Sequence, residues 1–161
     1  MPAVGLLGLR LIVATVLIAH GSHTLFGLWG GPGIGSGGLS SEAVRMANLG
    51  LEPGFLIAVL TGLIQLVGGA FLVIGWLTRW AAAAVLARVL IDIWFVNWRS
   101  GLFLNWTNEP ARGHGIEYGL LLAGAMLCLM LTGAGEYSLD GWRSRESGRL
   151  AMQRERLRRK F

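Results

Sequence analysis

Two residues of opposite charge stand four positions apart inside an apolar stretch of the sequence. They are Arg88 and Asp92, and Arg99 follows seven positions later. A charged group in the middle of a membrane span costs roughly 2.5–3.5 kcal/mol on insertion, so such groups face a bundle interior and often mark function. On one helix the three side chains fall within about 40° of one another, and Arg88 can pair with Asp92. The stripe is either a self-neutralised pair that fixes the rotation of the helix, or half of a site that handles protons or a ligand.

Three further polar features lie at the ends or the middle of apolar stretches. His20 and His23 are three residues apart, as are His114 and Glu117, and Gln65 is near the midpoint of another stretch. Paired donors at this spacing on facing helices can hold a metal. Neither pair forms a specific metal motif, and we therefore assign no metal site.

Together these side chains predict one polar pocket that opens toward the outer side of a helical bundle. Its expected lining is His20, His23, Gln65, Arg88, Asp92, His114 and Glu117. An apolar enclosure with a few donors and acceptors suits a neutral, partly apolar ligand with carbonyl or hydroxyl ends, and a quinone is the class we expect. Histidine and carboxylate groups could pass protons to such a ligand when it is reduced. The alternative is that these residues only satisfy one another.

The elements that must position these residues are membrane helices. The 161 residues are 53% hydrophobic and 14% charged, with a mean hydropathy of +0.57. This composition excludes an ordinary soluble enzyme and a disordered chain. Four apolar segments, at about 4–26, 54–77, 78–97 and 115–132, each approach the ~20 residues that cross a bilayer as a helix. The predicted fold is all-α, an integral membrane bundle of four transmembrane helices over residues 1–142.

The basic residues are concentrated in a tail, residues 143–161. The tail holds eight basic and two acidic residues, a net charge of +6 in a chain whose total is +5. A basic run after a hydrophobic span marks the cytoplasmic side and contacts anionic lipid headgroups. With an even number of spans, both termini are expected in the cytoplasm. Because no nucleic-acid-binding signature accompanies the run, we expect no nucleic-acid partner.

The first outer loop contains a glycine run and a short amphipathic segment. The run 33–38 fits a GxGxxG pattern, but no strand precedes it, so it predicts no nucleotide site. Residues 40–49 predict a short helix at the outer interface. The single cysteine, Cys128, excludes a dithiol pair within the chain.

The sequence resembles the DoxX family of small bacterial membrane proteins over about residues 5–141. The motifs that carry the resemblance are Leu9-Arg10, Ala19-His20-Gly21, Leu25-Phe26-Gly27, Gly30-Gly31-Pro32-Gly33, Leu49-Gly50-Leu51 before Pro53, Gly68-Gly69, Gly75-Trp76-Leu77-Thr78-Arg79, Glu117-Tyr118, Leu131-Thr132-Gly133 and Tyr137-Ser138-Leu139-Asp140. Only the basic tail has no counterpart.

The resemblance implies a four-helix protein of the bacterial inner membrane with a link to redox metabolism. Members include a subunit of a thiosulfate–quinone oxidoreductase and membrane partners of thiol and oxidant-defence enzymes. It singles out the positions Arg10, His20, Arg79 and Glu117 without assigning them chemistry. The chain departs from the family pattern in two places: many members have Glu at the position of Gln65, and His23 replaces a usual polar residue.

Two functions remain open at this point. The first is a redox-associated membrane subunit that binds a quinone-like lipid or docks a soluble or membrane oxidoreductase. The polypeptide is not expected to catalyse a reaction alone, and no catalytic residue is assigned. The second is a non-enzymatic small transporter or scaffold whose buried polar residues are structural. The lipid bilayer is a partner in both cases, and self-association into a homo-oligomer is left open.

Overall fold

The computed structural model describes residues 2–30, 37–107, 109 and 113–159. Most of the glycine run at 33–38, together with Arg112, therefore lies outside the described residues. The described part of the chain contains helices and no strand, which confirms the all-α prediction. The elements are α1 (Pro2–Phe26), α2 (Gly38–Asn48), α3 (Gly54–Ile74), α4 (Thr78–Asp92) with a π-helical turn (Ile93–Asn97) and a 3-10 turn (Trp98–Ser100), α5 (Glu117–Thr132) and α6 (Leu139–Arg158).

Three of the described helical segments are long and apolar enough to cross a membrane. They are Ala3–Phe26, Gly54–Ile74 and Thr78–Ser100. The fourth apolar helix, α5, has 16 residues. At 1.5 Å per residue α5 covers about 24 Å, less than the ~30 Å of a typical hydrocarbon core. The chain is thus a membrane protein with three candidate spans and one shorter apolar helix.

Small residues allow α1 and α3 to approach each other closely. A Cβ added at Gly21 of α1 would lie 2.5 Å from the backbone nitrogen of Leu66, and one at Gly69 of α3 would lie 3.1 Å from the carbonyl oxygen of Ala14. Such contacts require glycine, because any larger side chain would push the helices apart. Small residues of α3 are also buried, namely Ala58, Thr61, Gly62, Gly68 and Gly69.

The apolar core lies where α1, α3, α4 and α5 meet. Leu17, Leu72, Val85 and Met126, one from each of these helices, are almost completely buried. Gly119 of α5 is also buried and faces the side chain of Ile93. The core therefore holds α5 against the other apolar helices, although α5 is shorter than they are.

The helical periodicity of α4 changes at Asp92, which corrects one prediction. The expected stripe of Arg88, Asp92 and Arg99 assumed α-helical geometry throughout. Instead the chain passes through the π-helical turn into the 3-10 turn, where Arg99 is exposed. Since a π turn alters the angle per residue, the 100° spacing no longer relates Arg99 to the other two.

Candidate functional site

The predicted pair on α4 forms. The Nη2 atom of Arg88 lies 2.6 Å from Oδ2 of Asp92, and the two side chains are only 15% and 27% exposed. The short distance at low exposure lets each charge offset much of the cost of burying the other. The prediction that these two residues pair is confirmed.

A cavity of about 340 Å³ adjoins this pair between α2, α3 and α4. Three polar side chains reach it, those of Thr61, Arg88 and Asp92. The apolar residues that line it are Met46, Leu51, Ile57, Leu60, Ile64, Ala84, Ala87, Ile91, Phe95 and Val96. A cavity of about 150 Å³ already accepts benzene in a protein core, so this one can hold a substituted six-membered ring. It has the composition of a small-molecule site, which is mostly apolar with few polar groups.

A second ion pair, on α2, lies close to the first. Arg45 donates from Nε to Glu42 Oε2 at 2.9 Å, and its Nη2 is 2.5 Å from Oε1. The hydrogen bond and the charge of Glu42 raise the pKa of the Arg45 guanidinium above its usual range. Both residues act electrostatically on Arg88 and Asp92. The four formal charges sum to zero, so the surroundings of the cavity favour a neutral ligand over an ion.

Two buried polar atoms at this level of the bundle find no hydrogen-bond partner among the described residues. They are Nε of Arg88 and Oε1 of Gln65. Gly68 of α3 meets Val85 of α4, and the helices run antiparallel. Gln65 and Arg88 are each three residues further from the turn that joins these helices, and they thus occupy the same depth. Buried polar groups are normally paired, so this donor and this acceptor are two unsatisfied groups at one depth, next to the helices that line the cavity.

His20 approaches this level from α1 but does not line the cavity. Its ring centroid is 6.1 Å from that of Tyr118 on α5, and the ring planes are tilted by 36°. His20 is exposed, and it interacts electrostatically with Arg88 and His23. It is therefore a neighbour of the Arg88 pair across the bundle and not a member of the cavity wall.

The remaining predicted pocket residues lie elsewhere. The ring nitrogen Nδ1 of His23 is 2.8 Å from the carbonyl oxygen of Leu28, just beyond the end of α1. Glu117 accepts a hydrogen bond from the backbone N–H of Leu104 at 3.2 Å and so fastens the loop that precedes α5. His114 is exposed. Within the described ranges no three His, Cys, Asp or Glu residues come together as a metal site would need.

Arg10 binds backbone instead of a ligand. It is 1% exposed, and its guanidinium donates four hydrogen bonds to carbonyl groups. The acceptors are Leu72 (2.9 Å), Val73 (3.1 Å), Ala134 (2.6 Å) and Tyr137 (3.0 Å). No sequence pattern indicates this role, because backbone acceptors have no sequence signature. Arg79 is exposed and makes one long contact, 3.4 Å from Nη2 to the carbonyl of Leu131.

The fold and the site define a helical membrane protein with a neutral, mostly apolar cavity beside a buried ion pair. The DoxX family model matches residues 5–98, more than half of the chain, and the chain belongs to the DoxX family. The match includes α2, α3 and the Arg88–Asp92 pair and ends before His114 and Glu117. Comparison with curated proteins and with solved structures gives no match.

Proposed function

We propose that this membrane protein binds the polar head of a neutral, quinone-like lipid in the cavity beside Arg88 and Asp92. The observation that carries the proposal is a mostly apolar cavity of about 340 Å³ whose wall includes the buried Arg88–Asp92 ion pair. A quinone carbonyl can accept a hydrogen bond from the guanidinium group of Arg88. The apolar wall encloses the ring.

The depth of the cavity favours a quinone over a phospholipid. Arg88 stands ten residues beyond the start of α4 at Thr78, about 15 Å along the helix and half-way through the ~30 Å of hydrocarbon. A charged phosphate headgroup stays at the water interface, because burying its charge is too costly. A neutral carbonyl-bearing ring can lie at this depth. The two ion pairs, whose charges sum to zero, also favour a neutral ligand over a phosphate.

The wider role that we propose is that of a redox-associated subunit in the bacterial inner membrane, with four spans and both termini in the cytoplasm. Binding of a quinone by one polypeptide and its reduction by a partner oxidoreductase would explain why no catalytic residue is evident. The second candidate is a small transporter or scaffold with structural polar groups. Arg10, His23 and Glu117 favour it, since each binds backbone atoms of the chain itself.

Ligand binding to the purified protein tests the proposal. The double variant Arg88→Leu/Asp92→Leu removes donor and acceptor without leaving a lone buried charge. We expect it to bind the tail-free naphthoquinone menadione about tenfold or more weakly, ~1.4 kcal/mol. Thr61→Val, which removes only the hydroxyl in the cavity wall, should weaken binding less.

The control is His114→Ala, an exposed position outside the cavity, which should bind as the wild type does. Native purification followed by organic extraction should recover a quinone from the wild type and less from the double variant. Equal binding by the double variant and the wild type would show that the ligand does not bind beside Arg88 and Asp92. Absence of quinone binding altogether would leave the scaffold candidate in its place.

A further inference from the structure

A second cavity lies next to the cavity beside Arg88, along the same pair of helices. It measures about 380 Å³ and lies between the inner halves of α3 and α4. All its lining residues are apolar, among them Ile64, Val67, Phe71, Trp80 and Ala84. Two of them, Ile64 and Ala84, also line the cavity beside Arg88. The two cavities therefore adjoin at these residues, and together we call them the α3–α4 groove.

The α3–α4 groove has a polar end and an apolar end. From Asp92 it extends to Leu77, fifteen residues or about 22 Å along the helix axis. The small side chains of Gly68, Ala81 and Ala84 provide its width. Toward the outer side α2 covers it, since Met46 lines the polar end and is only 2% exposed. A molecule with its head at Arg88 thus meets α2 on the outer side, and the adjoining cavity offers its tail a path inward.

We infer that the inner half of the α3–α4 groove holds the isoprenoid tail of the same ligand, so that the protein selects long-tailed over tail-free quinones. This inference rests on the proposed function. The occupant follows from continuity with the head cavity, from the apolar wall and from the cover at the outer end. A phospholipid tail entering from the inner leaflet is the rival occupant, and the test separates the two.

The experiment compares menadione with a naphthoquinone that carries four isoprene units, using protein in nanodiscs and concentrations expressed as mole fraction in the bilayer. This normalisation removes the advantage that a long tail gains from partitioning alone. We expect the wild type to bind the tailed compound about tenfold more tightly. Val67→Trp, which narrows only the inner half of the groove, should reduce that preference to about threefold or less and leave the affinity for menadione within about twofold.

Val67 suits this test because it is exposed and lines the inner cavity but not the cavity beside Arg88. Leu63→Trp, at a second exposed residue of the inner cavity, should have the same effect and replaces Val67→Trp if that variant does not fold. The control is Gly124→Phe on α5, where an added Cβ meets nothing within 4 Å. It should keep the wild-type preference.

Each outcome is decisive. If the wild type binds both compounds equally, or if the preference survives in Val67→Trp and Leu63→Trp, the tail does not lie in the groove. Membrane lipid then fills it, and the head site still stands on the menadione measurements. If neither compound binds the wild type, the head site and the tail groove both fail.

Discussion

Arg10 and Asp140 hold the turn between α3 and α4 from its two sides. Arg10 donates to the carbonyl groups of Leu72 and Val73, in the last turn of α3. Asp140 accepts from the backbone N–H groups of Leu77 and Thr78, at the start of α4, each at 3.0 Å. A cation thus meets the negative end of one helix dipole and an anion meets the positive end of the next. These contacts fix the helical hairpin of α3 and α4, whose ends away from the turn line the cavity.

Loss of the Arg10 side chain should strongly destabilise the bundle. In Arg10→Met the four carbonyl groups lose their donor, and each buried carbonyl left unsatisfied costs about 1–3 kcal/mol, so the loss should exceed about 3 kcal/mol. Arg10→Lys should recover less than half, because one ammonium cannot span acceptors on two elements. Thermal unfolding in detergent measures the effect.

The matched control is Arg79→Met, the same change at an exposed arginine, with an expected effect within about 0.5 kcal/mol. Equal stability of the two methionine variants would show that the four hydrogen bonds do not hold the turn.

Asp140 should contribute as a helix cap. Asp140→Ala leaves the amides of Leu77 and Thr78 without their acceptor, at a cost of about 1–2 kcal/mol, and Asp140→Asn should retain about half because it keeps one acceptor oxygen. Denaturant titration of the purified protein measures both variants. Glu136→Ala, at an exposed carboxylate four residues earlier, serves as control. A larger loss in the control than in Asp140→Ala would contradict the capping role.

The Arg88–Asp92 pair should be sensitive to the loss of one partner and tolerant of the loss of both. Asp92→Asn leaves a buried guanidinium unpaired and should cost about 3 kcal/mol or more. The double variant Arg88→Leu/Asp92→Leu should recover much of this, since no uncompensated charge remains. The exposed Glu155–Arg159 pair on α6 is the control: Glu155→Gln should change the free energy of unfolding by about 1 kcal/mol at most. If the double variant is no more stable than Asp92→Asn, mutual neutralisation does not explain why both charges are buried.

What could be predicted from the sequence depends on how local each feature is. The apolar stretches predicted the helices, and the spacing of four residues predicted the Arg88–Asp92 pair, because both patterns repeat within one helix. The contacts of Arg10 join residues 62 to 127 positions apart, and their acceptors are backbone carbonyls, which every residue possesses. For the same reason His23 and Glu117 seemed free to line a pocket. The Glu42–Arg45 pair was readable from its spacing, but its position beside the cavity depends on how α2 packs.

The number of spans decides on which side of the membrane α6 lies. The three long apolar helices alone would place the two ends of the chain on opposite sides, whereas a spanning α5 returns the C-terminal end to the side of the N-terminus. We expect α5 to span, because only then do Arg79 at the start of α4 and the tail, with its net charge of +6, both lie on the cytoplasmic side, as the positive-inside rule favours. A reporter fused after Phe161 should therefore be active only as its cytoplasmic form. The same reporter inserted between α1 and α2 should be active only as its periplasmic form. A periplasmic signal from the C-terminal fusion, with an intact fusion protein on a blot, would reduce the bundle to three spans and expose the basic helix to the outer side.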